Sequence, residues 1–185
     1  MLKEYLSDQI KALLDFHRNN GGLLRYVKFR YFFEDIRGEA VTEKDIQYWA
    51  DQFSAIMKSL LINQDLLIEE TTSFVKKYHN SYRMHIVSGS DQNELRYICK
   101  ELGISNYFLS IHGSPTPKTA LVKNLLEKHD YSLDETVLIG DSINDYEAAS
   151  TNNVLFIGYN NPNLYQYTSI QKADFPCEVS SLIHG

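Results

Sequence analysis

The chain has 185 residues, 43% of them hydrophobic and 23% charged, with a formal net charge of −6. An acidic balance of this kind argues against a nucleic-acid surface, which is normally basic. No apolar run approaches the roughly 20 residues needed to cross a bilayer. The length admits one good core, or a core domain with a smaller companion.

Residues 1 to about 80 read as helical. Leu6, Ile10, Leu13, Leu14 and His17 share one face of a first helix, which Asn19-Asn20-Gly21-Gly22 stops. Leu23 to Ile36 is a second, aromatic-rich helix closed by Gly38. Thr42-Glu43-Lys44-Asp45 is a capping signature opening a third, with Ile46, Trp49, Phe53, Ile56 and Leu60 at helical spacing. Ile68 to Tyr78 makes a fourth.

The pattern changes near Asn80. Met84-His85-Ile86-Val87-Ser88 is strand-like, and Gly89-Ser90-Asp91 turns into a helix with Leu95, Ile98 and Leu102 on one face. Strands at Tyr107–Ile111, Thr136–Ile139 and Val154–Ile157 alternate with helices at Thr119–His129 and Ile143–Ser150. A short edge strand is expected over Asp174–Val179. This βαβα alternation implies an α/β fold with a parallel sheet, and a boundary near residue 80 divides helical 1–80 from α/β 81–185. Cys99 lies in an apolar helical stripe and reads as a small core residue, and with Cys177 it gives no disulfide framework. The amphipathic, acid-bearing start Met1-Leu2-Lys3-Glu4-Tyr5 is unlike a secretory signal, so the expected location is the cytoplasm.

Three polar features fall at the carboxyl ends of the expected strands, the edge where parallel sheets bind ligands. Ser88 with Gly89 combines a hydroxyl, backbone N–H groups and a following helix, which suits an anion, although it equally suits a plain helix start. Lys118 follows the stiff Gly113-Ser114-Pro115-Thr116-Pro117 loop at a helix start, where a cation opposes the helix dipole unless an anion is near. In Gly140-Asp141-Ser142-Ile143-Asn144-Asp145 two carboxylates lie one helical turn apart. They suit Mg²⁺ with waters and a substrate phosphate, while Ser142 to Asp145 also fits a capping box. A hydroxyl, a cation and a divalent metal are the parts that phosphoryl transfer requires.

These segments, in this order and spacing, resemble motifs two, three and four of the haloacid dehalogenase (HAD) superfamily of phosphohydrolases. The helical first 80 residues resemble its helical cap, and His17-Arg18-Asn19-Asn20-Gly21-Gly22-Leu23-Leu24-Arg25-Tyr26-Val27-Lys28-Phe29 resembles a cap signature of one phosphatase subgroup. The resemblance implies a Rossmann-like core under a cap, acting on a phosphorylated small molecule with Mg²⁺, with no nucleic-acid or membrane partner. Ser88 and Gly89 would bind phosphate, Lys118 would hold nucleophile and phosphate, and Asp141 with Asp145 would serve the metal. Arg25 and Lys28 could reach substrate from the cap, or be ordinary exposed helix charges. A phosphomutase would share the same loops, and the resemblance leaves substrate and oligomeric state open.

The family's first motif is an apolar strand ending in Asp-x-Asp, whose first Asp is the nucleophile. No Asp-x-Asp occurs in the chain. Tyr31-Phe32-Phe33-Glu34-Asp35-Ile36-Arg37-Gly38 imitates the motif, but its acids are misplaced and it lies within the cap region. The missing strand is central in that family's sheet, so its loss predicts a gap between the strands of the second and fourth motifs. Two explanations stand: an amino-terminally truncated and hence inactive phosphatase, or a degenerate module that binds a phosphorylated ligand or partner.

Overall fold

A computed structural model describes residues 5–20, 24–164, 166–167 and 171–172, which divide into two compact units, Met1–Asn63 and Gln64–Gly185.

The first unit is helical: α1 (Ser7–Asn19), α2 (Arg25–Tyr31) and α3 (Glu43–Leu61). Asn20 ends α1 by donating its side-chain amide to the Phe16 carbonyl at 2.9 Å; Gly21 and Gly22 lie outside the described residues. α2 runs on into a π-helical turn, Phe32–Ile36, closed by the Arg37 N–H on the Phe32 carbonyl. The wider turn brings Phe29, Phe32 and Phe33 all inward against Leu13, Ile46 and Ala50. Phe32 and Phe33 meet edge to face at 5.2 Å, a favoured aromatic geometry. The chain then reverses at Gly38, whose φ of +67° suits a residue without Cβ. Thr42 and Asp45 form the expected reciprocal capping box. The expected apolar stripes only partly face this core, because Leu6, Leu14, Ile56 and Leu60 are exposed.

The second unit holds α4 (Glu69–Tyr78) and the α/β elements. The latter are β1 (His85–Asp91), α5 (Gln92–Glu101), β2 (Ser110–Ser114), α6 (Lys118–His129), β3 (Val137–Gly140), α7 (Ile143–Thr151), β4 (Leu155–Tyr159) and β5 (Gln171–Lys172). Phe74 and Val75 of α4 pack with Tyr82, Met84, Tyr107, Phe108 and Val137. Those contacts place α4 in this unit, so the structural division falls after Asn63, earlier than residue 80. All strand pairing is parallel, as the βαβα pattern requires, with β1 on β2 and β3–β4–β5 in order. Among the described residues no ladder joins β1 to β3, and the strands form two sheets. The two halves still share a core. Val87 of β1 packs on a cluster of Val122, Leu138, Ala148, Ala149, Val154, Phe156 and Leu164.

Two element boundaries differ from expectation. β1 continues through Gly89 to Asp91 across a register shift, so these residues are extended rather than turned. β2 begins at Ser110, because Ser105–Tyr107 forms a 3₁₀ turn, and it runs on through Gly113 and Ser114. The region Asp174–Val179 lies outside the described residues. Cys99 is buried as expected, and burial pushes its thiol up and away from reactivity. Among the described residues no helix is long and apolar enough to cross a membrane.

Candidate active site

Within the second unit, the carboxyl ends of β2 and β3 each release the chain into a helix carrying one half of a buried ion pair. Lys118 is the first residue of α6, behind Pro115 and Pro117, and Asp145 lies in the first turn of α7. Lys118 Nζ donates to Asp145 Oδ1 at 2.5 Å, with the side chains only 17% and 9% exposed. This contact ties the β1–β2 ladder to the β3–β4 ladder at their carboxyl ends. The other Asp145 oxygen, Oδ2, accepts from Ser142 Oγ at 2.6 Å and from the Ser142 N–H at 3.2 Å. The turn is therefore a capping box, and Asp145 spends both oxygens inside the protein.

Gly140 makes that packing possible. A Cβ there would overlap Cβ, Cγ and Oδ2 of Asp145, so only glycine lets the carboxylate fold back over the end of β3. Gly113 has the same function on β2, where a Cβ would overlap the Ser90 carbonyl and crowd Gln92. The strand can thus approach the Ser88–Asp91 segment closely. Ser88 Oγ accepts from the Ser90 N–H at 3.1 Å, which leaves its hydroxyl proton to donate outward, and nothing lies within 4 Å of the position a Gly89 side chain would fill. Asp91 caps α5 by accepting from the Glu94 N–H at 3.0 Å.

Asp141 differs from Asp145. Its carboxylate is exposed and no described side chain or N–H is paired with it; only its main-chain carbonyl is held, by Asn161 Nδ2 at 2.5 Å. Asn161 follows β4, one strand further along the same edge. A reading of the sequence passes over it because its partner is twenty residues away.

Mg²⁺ suits one or two carboxylates completed by waters and phosphate. The open Asp141 carboxylate fits that demand and the committed Asp145 does not, so the second carboxylate would act through its grip on Lys118 and the turn. Among the described residues, no three histidines, cysteines or acids gather as a ready metal cage.

Arg25 and Lys28 belong to the first unit. Arg25 donates to Ser54 Oγ at 2.5 Å and stands 5.0 Å from the Phe53 ring. Lys28 Nζ donates to His17 Nδ1 at 3.0 Å. Burial lowers the Lys28 ammonium, and burial followed by the Lys28 and Arg18 charges lowers His17.

A second polar cluster lies at the opposite, amino-terminal end of β1 and β2. His85 joins Ser110 Oγ through Nδ1 at 2.6 Å and Tyr131 OH through Nε2 at 2.8 Å, and His112 Nε2 meets the same Ser110 Oγ at 2.7 Å. Desolvation, then the His129 and His112 charges, hold His85 down at about 4.

The sequence matches the family model for haloacid dehalogenase-like hydrolases over residues 21–159, and the chain belongs to that family. No curated protein matches it. Three solved structures share the fold. A predicted phosphoglycolate phosphatase from Haemophilus somnus is 19% identical with a TM-score of 0.68, over 85% of this chain and 75% of its own. A β-phosphoglucomutase from Clostridium difficile is 16% identical with a TM-score of 0.69, over 87% and 75%. The HAD-hydrolase YfnB from Bacillus subtilis, solved bound to magnesium, is 15% identical with a TM-score of 0.66, over 97% and 83%.

Proposed function

We propose that this chain carries the phosphate- and metal-binding edge of a Mg²⁺-dependent phosphatase for small phosphate monoesters. The observation that carries the reading is the Lys118–Asp145 pair, which brings the loops after β2 and β3 together beside the open Asp141 carboxylate. Ser88 Oγ and the Gly89 backbone would donate to phosphate oxygens, and Lys118 would neutralise charge as it builds on the transferring group. Asp141 would hold the cation, which when bound supplies charge stabilisation and orientation. Asp145 keeps Lys118 in place. The helical unit, residues 1–63, would act as the cap, with Arg25 and Lys28 as the charges it offers to substrate, and the protein would work in the cytoplasm.

These 185 residues contain no Asp-x-Asp to present an attacking carboxylate as the family does. We propose that the attacking carboxylate belongs on a strand that would fill the break between β1 and β3. The 185 residues alone should then leave an aryl phosphate intact in the presence of Mg²⁺. A form extended by an apolar strand ending in Asp-x-Asp should hydrolyse it, and Asp141→Asn should lower that turnover by at least about 100-fold. Undiminished turnover in the Asp141→Asn form sinks the metal assignment, and robust Mg²⁺-dependent hydrolysis by the 185 residues alone sinks the account of the nucleophile.

A second reading is a non-catalytic module that binds a phosphorylated ligand. The missing Asp-x-Asp and the full commitment of Asp145 to internal bonds favour it. It predicts ligand binding in every extended form and hydrolysis in none.

A further inference from the structure

The loop after β4 is built to grip the Asp141 turn. Asn160 takes a left-handed φ of +48°, and Asn161 Oδ1 then accepts from the Asn163 N–H at 3.0 Å. The Leu164 N–H closes on the Asn161 carbonyl at 3.1 Å, and the Leu164 side chain, 2% exposed, is sunk in the core with Phe156 and Ala148. The side-chain NH₂ of Asn161 is not used within this loop and reaches the Asp141 carbonyl at 2.5 Å. Among the described residues no group holds the Asp141 side chain, and its peptide joins strand β3 to the capping box. The Asn161 amide therefore fixes the peptide from which the carboxylate projects.

We propose that Asn161 is a positioning residue for Asp141: it restricts the orientations of the exposed carboxylate and raises its affinity for a divalent cation. This inference rests on the metal role assigned to Asp141 above. Groups that orient a metal-binding residue typically change affinity 10- to 100-fold when removed. The low end is expected here, because Asn161 holds the main chain rather than the carboxylate itself.

The test is a Mg²⁺ titration of the 185-residue chain followed by amide shifts of residues 140–145, with thermal unfolding recorded alongside. In the unaltered chain the shifts should centre on Asp141. Asn161→Ala should weaken the apparent Mg²⁺ affinity about tenfold while the melting temperature stays within a few degrees. Asn161→Gln, which retains an amide donor on a longer arm, should recover part of the loss. A purely structural residue would move the melting temperature and not the affinity. Unchanged Mg²⁺ affinity in Asn161→Ala overturns the positioning role and leaves the metal assignment standing. Absence of Mg²⁺-induced shifts at Asp141 in the unaltered chain overturns both.

Discussion

Replacing Lys118 with methionine tests the contact on which the site depends. The ammonium and the Asp145 carboxylate are 17% and 9% exposed, so each has given up most of its hydration to meet the other. Removing one member of a fully buried pair costs about 3–5 kcal/mol, because the remaining charge is left buried and uncompensated. Asp145 keeps its two bonds from Ser142, which moderates the loss, and the expected cost of Lys118→Met is roughly 2–3 kcal/mol. Asp145→Asn should cost less, about 1–2 kcal/mol, since the flexible lysine stem can carry its charge out to water. The double variant should be clearly more stable than the sum of the two losses, with a coupling of roughly 1–2 kcal/mol. Urea unfolding of the four proteins at pH 7, compared at equal m-values, reads each term. A Lys118→Met cost below about 0.5 kcal/mol, or a coupling near zero, would show that the pair is solvated and does not organise the edge.

Gly140→Ala should destabilise the chain by about 1–3 kcal/mol, since its Cβ must displace the Asp145 side chain or the end of β3. Urea unfolding checks this, and a loss under about 0.5 kcal/mol would refute the close-approach argument. His85, facing Ser110, His112, His129, Tyr131 and Lys128, titrates in the folded chain near 4 against 6.5 when unfolded. The unfolded chain therefore binds the extra proton first, and stability falls as pH drops from about 6.5 to about 4. The full linkage would be about 3 kcal/mol, and partial exposure reduces it to roughly 1 kcal/mol. His85→Gln should flatten this part of the stability–pH curve, and an unchanged slope would refute the assignment.

Much of the second unit could be read from period and punctuation. The strands after Asn80 are short apolar runs, each followed by a polar turn and a helix, and the observed parallel ladders follow that order. The boundaries that slipped are those where local pattern is overruled from a distance. Tyr107 looks like strand, yet it packs against the Phe74–Val75 cluster of α4, and β2 starts only after it. The candidate residues stand out because Lys118 and Asp141 each follow a strand and Ser88 lies within one. The division of labour between the two acids was not legible. The Ser142–Asp145 capping box was, but the approach of Lys118 to the other Asp145 oxygen and the room that Gly140 leaves for that carboxylate were not. Asn161 and the His85–Ser110–His112 chain are equally non-local and carry no motif.

The charge balance at this edge explains why these elements would work together. A lysine at the first position of α6 opposes the helix dipole, and Asp145 offsets that cost from the first turn of α7, where an acid is favoured. With Asp141 included, the three groups carry a formal charge of −1. A phosphate monoester carrying about −1.5 to −2 at pH 7 would be repelled from such an edge. A divalent cation on Asp141 turns the balance to +1, so on the proposed function anion binding is coupled to cation binding by charge alone. The arrangement also assigns each acid a reason to differ. If Asp145 were released to the metal, Lys118 would lose its partner at a helix start; if Asp141 were tied down, no open carboxylate would remain for the cation.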